Sequence, residues 1–157
     1  MTRQPKGTKK RTRSIQVWTY AQAQAALPYI TAIVRSLREH ALDVLSQRRY
    51  LQRLTGQTGR PDRSTLIAMQ EAKRQTDLAE SRFESAADEL QELDIYSLDP
   101  IQGTALIPFV HKDELAWYVF DLFDSRPLSF WLFQSDPEDT RRPITSMQKG
   151  PAPTQSA

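Results

Sequence analysis

The chain contains no cysteine. Disulfides, thiolate nucleophiles and cysteine-ligated zinc are therefore excluded. A cysteine-free chain suits a reducing compartment, and a cytoplasmic location is expected. Glycine is scarce: Gly7, Gly56, Gly59, Gly103 and Gly150 complete the set. Neither a Walker-type phosphate loop nor a dinucleotide fingerprint can be written with these positions. No apolar run approaches the roughly 18–20 residues that a membrane-spanning helix needs, so no membrane partner is expected. The N-terminus is basic but lacks an apolar stretch of the kind that makes a secretory signal. Histidine is limited to His40 and His111. A Ser/His/Asp set needs a base within reach of a hydroxyl, and His40 sits beside an apolar helical stripe, where a structural histidine is the ordinary occupant. The chain is read as carrying no cofactor and no catalytic set.

What is present is enough for one domain. The 157 residues are 39% hydrophobic and 25% charged, which fits a globular chain with flexible ends. The net charge of +2 hides an asymmetry. Residues 1–14 carry Arg3, Lys6, Lys9, Lys10, Arg11 and Arg13 and no acid, so the remainder is net negative. This stretch reads as a disordered basic tail. Lys6, Lys9, Lys10, Arg11 and Arg13 are its candidate polyanion-binding residues, with nucleic acid as a minor alternative partner.

The ordered pattern starts at Ile15-Gln16-Val17-Trp18. Thr19-Tyr-Ala-Gln22 fits a capping box, in which the threonine oxygen and the glutamine side chain satisfy each other's backbone amides. Pro28 lacks the amide proton a helix interior needs, which predicts a kink, or a short first helix with Pro28 opening a longer one. Leu27, Ile30, Ile33, Val34, Leu37, Ala41, Val44, Leu45, Leu51 and Leu54 then recur at helical spacing. Gly56, Gly59 and Pro61 stop the run. A second helix follows, on which Met69, Ala72, Thr76, Ala79, Phe83, Ala86, Leu90 and Leu93 alternate three and four apart, a coiled-coil seam of about four heptads. Residues 35–53 hold five basic and two acidic side chains, and residues 62–94 hold four basic and nine acidic. Antiparallel pairing of helices at about 19–54 and 63–93 would bring acids of the second towards Arg35 and Arg38.

Beyond Asp94 the period changes. Residues 104–109, 115–123 and 128–133 are rich in β-branched and aromatic side chains and read as three antiparallel strands. His111-Lys-Asp-Glu114 is the first hairpin loop and Asp124-Ser-Arg-Pro127 the second. The expected fold is α+β: a long antiparallel helical hairpin packed with a small three-stranded β-meander in a single domain over residues 15–144. Residues 145–157, with Pro151 and Pro153, read as a disordered tail.

Two features invite a functional reading. His111, Asp113 and Glu114 could serve a metal-dependent or hydrolytic enzyme if their loop folded around an ion, although a polar hairpin loop holds such residues for its own reasons. Asp121 and Asp124, three apart on a strand, would point to opposite faces and share no proton or ion. Trp117, Tyr118, Phe120, Phe130, Trp131 and Phe133 crowd the strands and load both faces with aromatic rings. One face can cover the helices. The other must be sealed by Trp18 and the C-terminal segment, or form an interface with a protein partner or in a homodimer. The expected function is a non-catalytic interaction or oligomerisation module.

Leu27-Pro28, Gly103, Pro108, Trp131 and Arg142-Pro143, set around a long helical pair and an aromatic hairpin, resemble the uncharacterised prokaryotic family called domain of unknown function 2203. The resemblance covers roughly residues 17–144. The family's aspartate falls at Leu106, its Cys-Trp pair near Phe120-Asp121, its Gly-Glu pair at Asp124-Ser125 and its histidine at Leu132. The polar positions best able to do chemistry are thus replaced, and the resemblance implies an architecture rather than an activity.

Overall fold

The computed structural model describes residues 14–145. The expectations for the basic tail and for the last residues of the chain lie outside that range, apart from Ser14 and Thr145. Three helices come first: α1 (Tyr20–Ala25), α2 (Leu27–Thr55) and α3 (Arg63–Glu92). Five strands follow: β1 (Tyr96–Asp99), β2 (Thr104–His111), β3 (Glu114–Asp121), β4 (Phe130–Phe133) and β5 (Arg142–Pro143). The fold is α+β, with one antiparallel sheet in the order β1-β2-β3-β4-β5. The sheet thus has five strands where three were expected. The two extra strands are the edges, four and two residues long.

Local chemistry explains the helix boundaries. The Thr19 hydroxyl accepts from the Gln22 amide at 3.0 Å, and the Gln22 side chain accepts from the Thr19 amide at 2.9 Å, completing the capping box. Of the two outcomes expected at Pro28 within the helical stretch 19–54, the chain takes the short first helix: the stretch is divided at Ala26, because Pro28 has no amide hydrogen and is tolerated in the first turn of α2. Asp62 caps α3 by accepting from the Thr65 amide at 2.8 Å. The other end of α3 closes in a Schellman arrangement. Asp94 is left-handed (φ 61°), its amide donates to the Gln91 carbonyl, and the Ile95 amide donates to the Leu90 carbonyl. Leu90 and Ile95 are both buried there, so the hydrophobic contact of that motif turns the chain from helix into β1.

Helices α2 and α3 pack on each other and run in opposite directions: Leu37 lies with Ala86 and Leu90 in one core, and further along α2 Arg48 pairs with Glu80 at 2.7 Å. Arg38 does not meet the acids of α3. Its Nε donates to the Ile101 carbonyl at 2.7 Å and its guanidinium lies 4.9 Å above the Phe123 ring. The long α2 is thereby pinned to the loops at one end of the sheet.

The main core lies between one sheet face and the first half of α2 with the last turns of α3. Ile30, Ile33, Val34, Leu37 and Leu90 meet Ala105, Ile107, Phe109, Ala116, Tyr118, Phe120 and Trp131. Full burial of side chains of this size stabilises by about 1.5–3 kcal/mol each before entropy is counted. The first turn of α1 joins this core through Tyr20, whose ring meets Tyr118 edge-on at 5.5 Å. β3 ends at Asp121 rather than at 123, because the Asp121 carboxylate accepts from the Phe123 amide at 3.0 Å and bends the chain. The β2–β3 turn has φ of 53° at Lys112 and 63° at Asp113, the pair of left-handed residues of a two-residue hairpin.

Candidate interaction surface

Strand alternation sends successive side chains to opposite faces. The register pairs Phe109 with Ala116, and Tyr118 with Trp131, which fixes the face each aromatic takes. Tyr118, Phe120 and Trp131 turn towards the helices and are buried. Three of the six aromatics marked as interface candidates are therefore interior in the folded chain. Tyr118 stacks on Phe109 at 3.9 Å, and burial pushes its phenol pKa far upward. Trp131 meets Phe109, His111 and Phe133. Its indole N–H is buried and has no hydrogen-bond partner among the described residues, an arrangement that costs about 1–3 kcal/mol.

His111 belongs to this ring cluster, 4.8 Å from Trp131 and 5.7 Å from Phe133. Desolvation, reinforced by the Lys112 charge, holds its pKa below the usual histidine value and favours the neutral ring. Asp113 occupies the tip of the turn, and Glu114 lies opposite His111 in register. Among the described residues no three histidine, aspartate or glutamate side chains are grouped to hold a metal ion. Asp121 and Asp124 spend their carboxylates on the amides of Phe123 and Arg126.

The opposite face carries a second, smaller apolar cluster with no helix residue in it. Leu106, Val119 and Leu132 are buried there, with Leu98, Trp117 and Phe130 packed around them. Trp18, expected with the C-terminal segment as a cover for that face, packs against the main core instead, as does Ile144 of that segment. The outward face has a cleft of about 360 Å³. Tyr96 and Trp117 form its walls, Leu106 and Leu132 its floor, and Gln134, Asp136 and Glu138 its rim, with Phe133 at its border. Tyr96 is half exposed. The Trp117 indole donates to Gln134 Oε1, which fixes the plane of one wall.

The rim is held by one ion pair. Arg142 donates to both Asp136 oxygens at 2.8 and 2.9 Å, and the Phe133 amide donates to the same carboxylate at 2.8 Å. Arg142, with the Phe133 amide beside it, draws the Asp136 pKa down to about 2. The Arg142 guanidinium also lies 5.1 Å from the Phe133 ring centre and 5.5 Å from that of Trp131. The loop between β4 and β5 is thus clamped to the sheet, and the cleft is preformed.

Large apolar side chains exposed on the helices are more numerous than on the strands. Tyr29, Leu42, Leu45 and Tyr50 on α2 and Leu66, Ile67 and Leu78 on α3 are all exposed, against Tyr96, Val110 and Phe123 on the sheet and its loops. Sequence reasoning missed Tyr96 and Glu138 in the cleft and the outer face of Leu45. The only available signal for Tyr96 was the alternation in Tyr96-Ser-Leu-Asp, four residues long. Lys6, Lys9, Lys10, Arg11 and Arg13 lie outside the described residues. No helix among the described residues is long and apolar enough to cross a membrane.

The family model described as an uncharacterized conserved protein, DUF2203, matches residues 16–144 of the chain. No curated protein and no solved structure matches it.

Proposed function

From the premise that the chain belongs to the DUF2203 family, whose description carries no activity, we propose that this protein is a non-catalytic interaction module. Its docking site is the cleft on the outward sheet face, where Trp117 and Tyr96 flank the buried Leu106 and Leu132. That cleft is the observation that carries the reading. Aromatic walls around an apolar floor are how a protein surface receives an apolar anchor from a partner, with polar rim groups orienting it. Asp136 is neutralised by Arg142, and Glu138 is left as the rim carboxylate, which favours a neutral or basic protein segment over a polyanion, so nucleic-acid binding through this face is disfavoured. The helical hairpin and its seam serve as the scaffold that buries the other sheet face. A cytoplasmic location, suited by the cysteine-free sequence, belongs to the same proposal.

Selection of displayed peptides on the purified chain tests the reading. Enriched peptides should share an apolar anchor and lose binding to a Trp117→Ala, Tyr96→Ala variant while still binding Leu45→Glu. Equal enrichment on the cleft variant, or no enrichment on either, would refute it.

A further inference from the structure

The polar groups around the outward cleft are unequally divided between donors and acceptors. The Trp117 indole can only donate, so the Gln134 atom that meets it is the oxygen. The Gln134 amide NH2 is therefore left as a donor beside Trp117. The Tyr96 hydroxyl, on the other wall, makes no hydrogen bond among the described residues. The Asp136 carboxylate is taken by Arg142 and the Phe133 amide. Glu138 is the lining carboxylate that takes part in no ion pair among the described residues. The floor adds no backbone groups. Leu106 lies opposite Tyr96 on β1, and Leu132 lies opposite Trp117 on β3. The ladder beneath the cleft is thus occupied, and a partner cannot enter it as an added strand.

A ligand for this site must bring an apolar surface to two aromatic walls and carbonyl oxygens to two donors. It must also bring few N–H groups, because little at the cleft is free to accept them. An α-helix fails the second condition, since its own ladder uses its carbonyls. Proline meets all of them. Its ring is apolar, it has no N–H, and a polyproline II helix keeps its carbonyls free of internal hydrogen bonds. Aromatic-lined grooves receive such helices, which lose little entropy on binding. Glu138 at the rim calls for a lysine or arginine beside the prolines. We propose that the cleft binds a proline-rich protein segment in the polyproline II conformation with a basic residue at its flank. Its rings sit between Tyr96 and Trp117, and its carbonyls accept from the Tyr96 hydroxyl and the Gln134 amide. The assignment rests on the cleft being the docking site and adds the chemistry of what docks there.

Two displayed peptide libraries of equal diversity test the proposal on the full chain. One has a pair of prolines fixed three positions apart, and the other lacks proline. The wild type should enrich peptides from the first library alone, with lysine or arginine flanking the prolines. Enriched peptides are then measured singly by fluorescence anisotropy. Tyr96→Phe, which keeps the ring and removes the donor, should weaken them about threefold to tenfold. Glu138→Gln should weaken them by up to about fivefold and remove the advantage of the basic flank. Both variants should keep the wild-type far-UV circular dichroism spectrum. Equal enrichment from the proline-free library would overturn the proline assignment and leave the cleft as the docking site, provided those peptides are lost on Trp117→Ala, Tyr96→Ala. An affinity unmoved by Tyr96→Phe or by Glu138→Gln would also overturn the assignment. Enrichment from neither library would overturn it together with the docking site itself.

Discussion

Replacing Gly103 by alanine should be among the most damaging single-methyl additions in this chain. Gly103 is buried and lies in the left-handed region at φ +74°. Its amide donates to the Asp99 carbonyl at 3.0 Å, and its own carbonyl accepts from the Leu122 amide at 2.9 Å. Both neighbours are therefore tied to it, and the turn between β1 and β2 cannot relax independently of the end of β3. An added Cβ would sit 2.8 Å from Leu122 Cβ, an atom fixed to the backbone, and 3.1 Å from Leu122 Cδ2. A left-handed alanine costs about 1–2 kcal/mol, offset by a few tenths for the stiffer unfolded chain. Overpacking of this kind adds about 1–3 kcal/mol. The sum is about 1.5–4.5 kcal/mol, or a fall of about 5–14 °C in Tm for a domain of this size. Gly59→Ala supplies the control. Gly59 has φ +88° but nothing within 4 Å of an added Cβ, so only the backbone cost of about 1 kcal/mol applies. Thermal unfolding followed by circular dichroism reads both. A Gly103→Ala variant no less stable than Gly59→Ala would refute the close-contact argument.

Two further outcomes follow from the turn and the rim. Asp113→Gly should stabilise the protein by about 0.5–1 kcal/mol, since Asp113 holds φ 63° in the hairpin turn without a glycine's freedom; a lowered Tm would contradict this. The Asp136 carboxyl is held near 2, below its ordinary 3.8. A depressed folded-state pKa contributes stability that is present above about pH 4 and is lost as pH falls towards 2. Asp136→Asn should therefore flatten the acid limb of a denaturation profile over that window, and an unchanged limb would show that the clamp to Arg142 contributes nothing.

Features set by neighbours in sequence were legible in it. Thr19 and Gln22 announced the capping box, Pro28 the break between α1 and α2, and the β-branched and aromatic content of Thr104–Phe109 most of β2. Edge strands were not legible, because β1 and β5 are defined by the partners they lie against, Leu106 for Tyr96 and Trp131 for Arg142. The aromatic segment shows the same division. Alternation sorted Trp117 from Tyr118, but which set turned to the helices depended on packing that no local pattern encodes. Phe123 was assigned to a strand, yet the Asp121 turn removes it from β3 and leaves it exposed beneath Arg38. Leu45 matched the helical stripe by spacing and sits at its margin, half out of the seam. The family match adds membership alone and leaves the assignment of the cleft to its own geometry.

The three tryptophans occupy three different environments and report separately on the cleft and the core. The Trp18 indole donates to the Leu93 carbonyl, the Trp117 indole to Gln134 at the cleft, and the Trp131 indole is buried with no hydrogen-bond partner among the described residues. Each should give a separate indole resonance in a nitrogen-15 spectrum, assignable by single substitution. On titration with a peptide selected on the native chain, the cleft account predicts that the Trp117 indole moves while those of Trp18 and Trp131 stay in place. A saturating titration that leaves the Trp117 indole unmoved would contradict it.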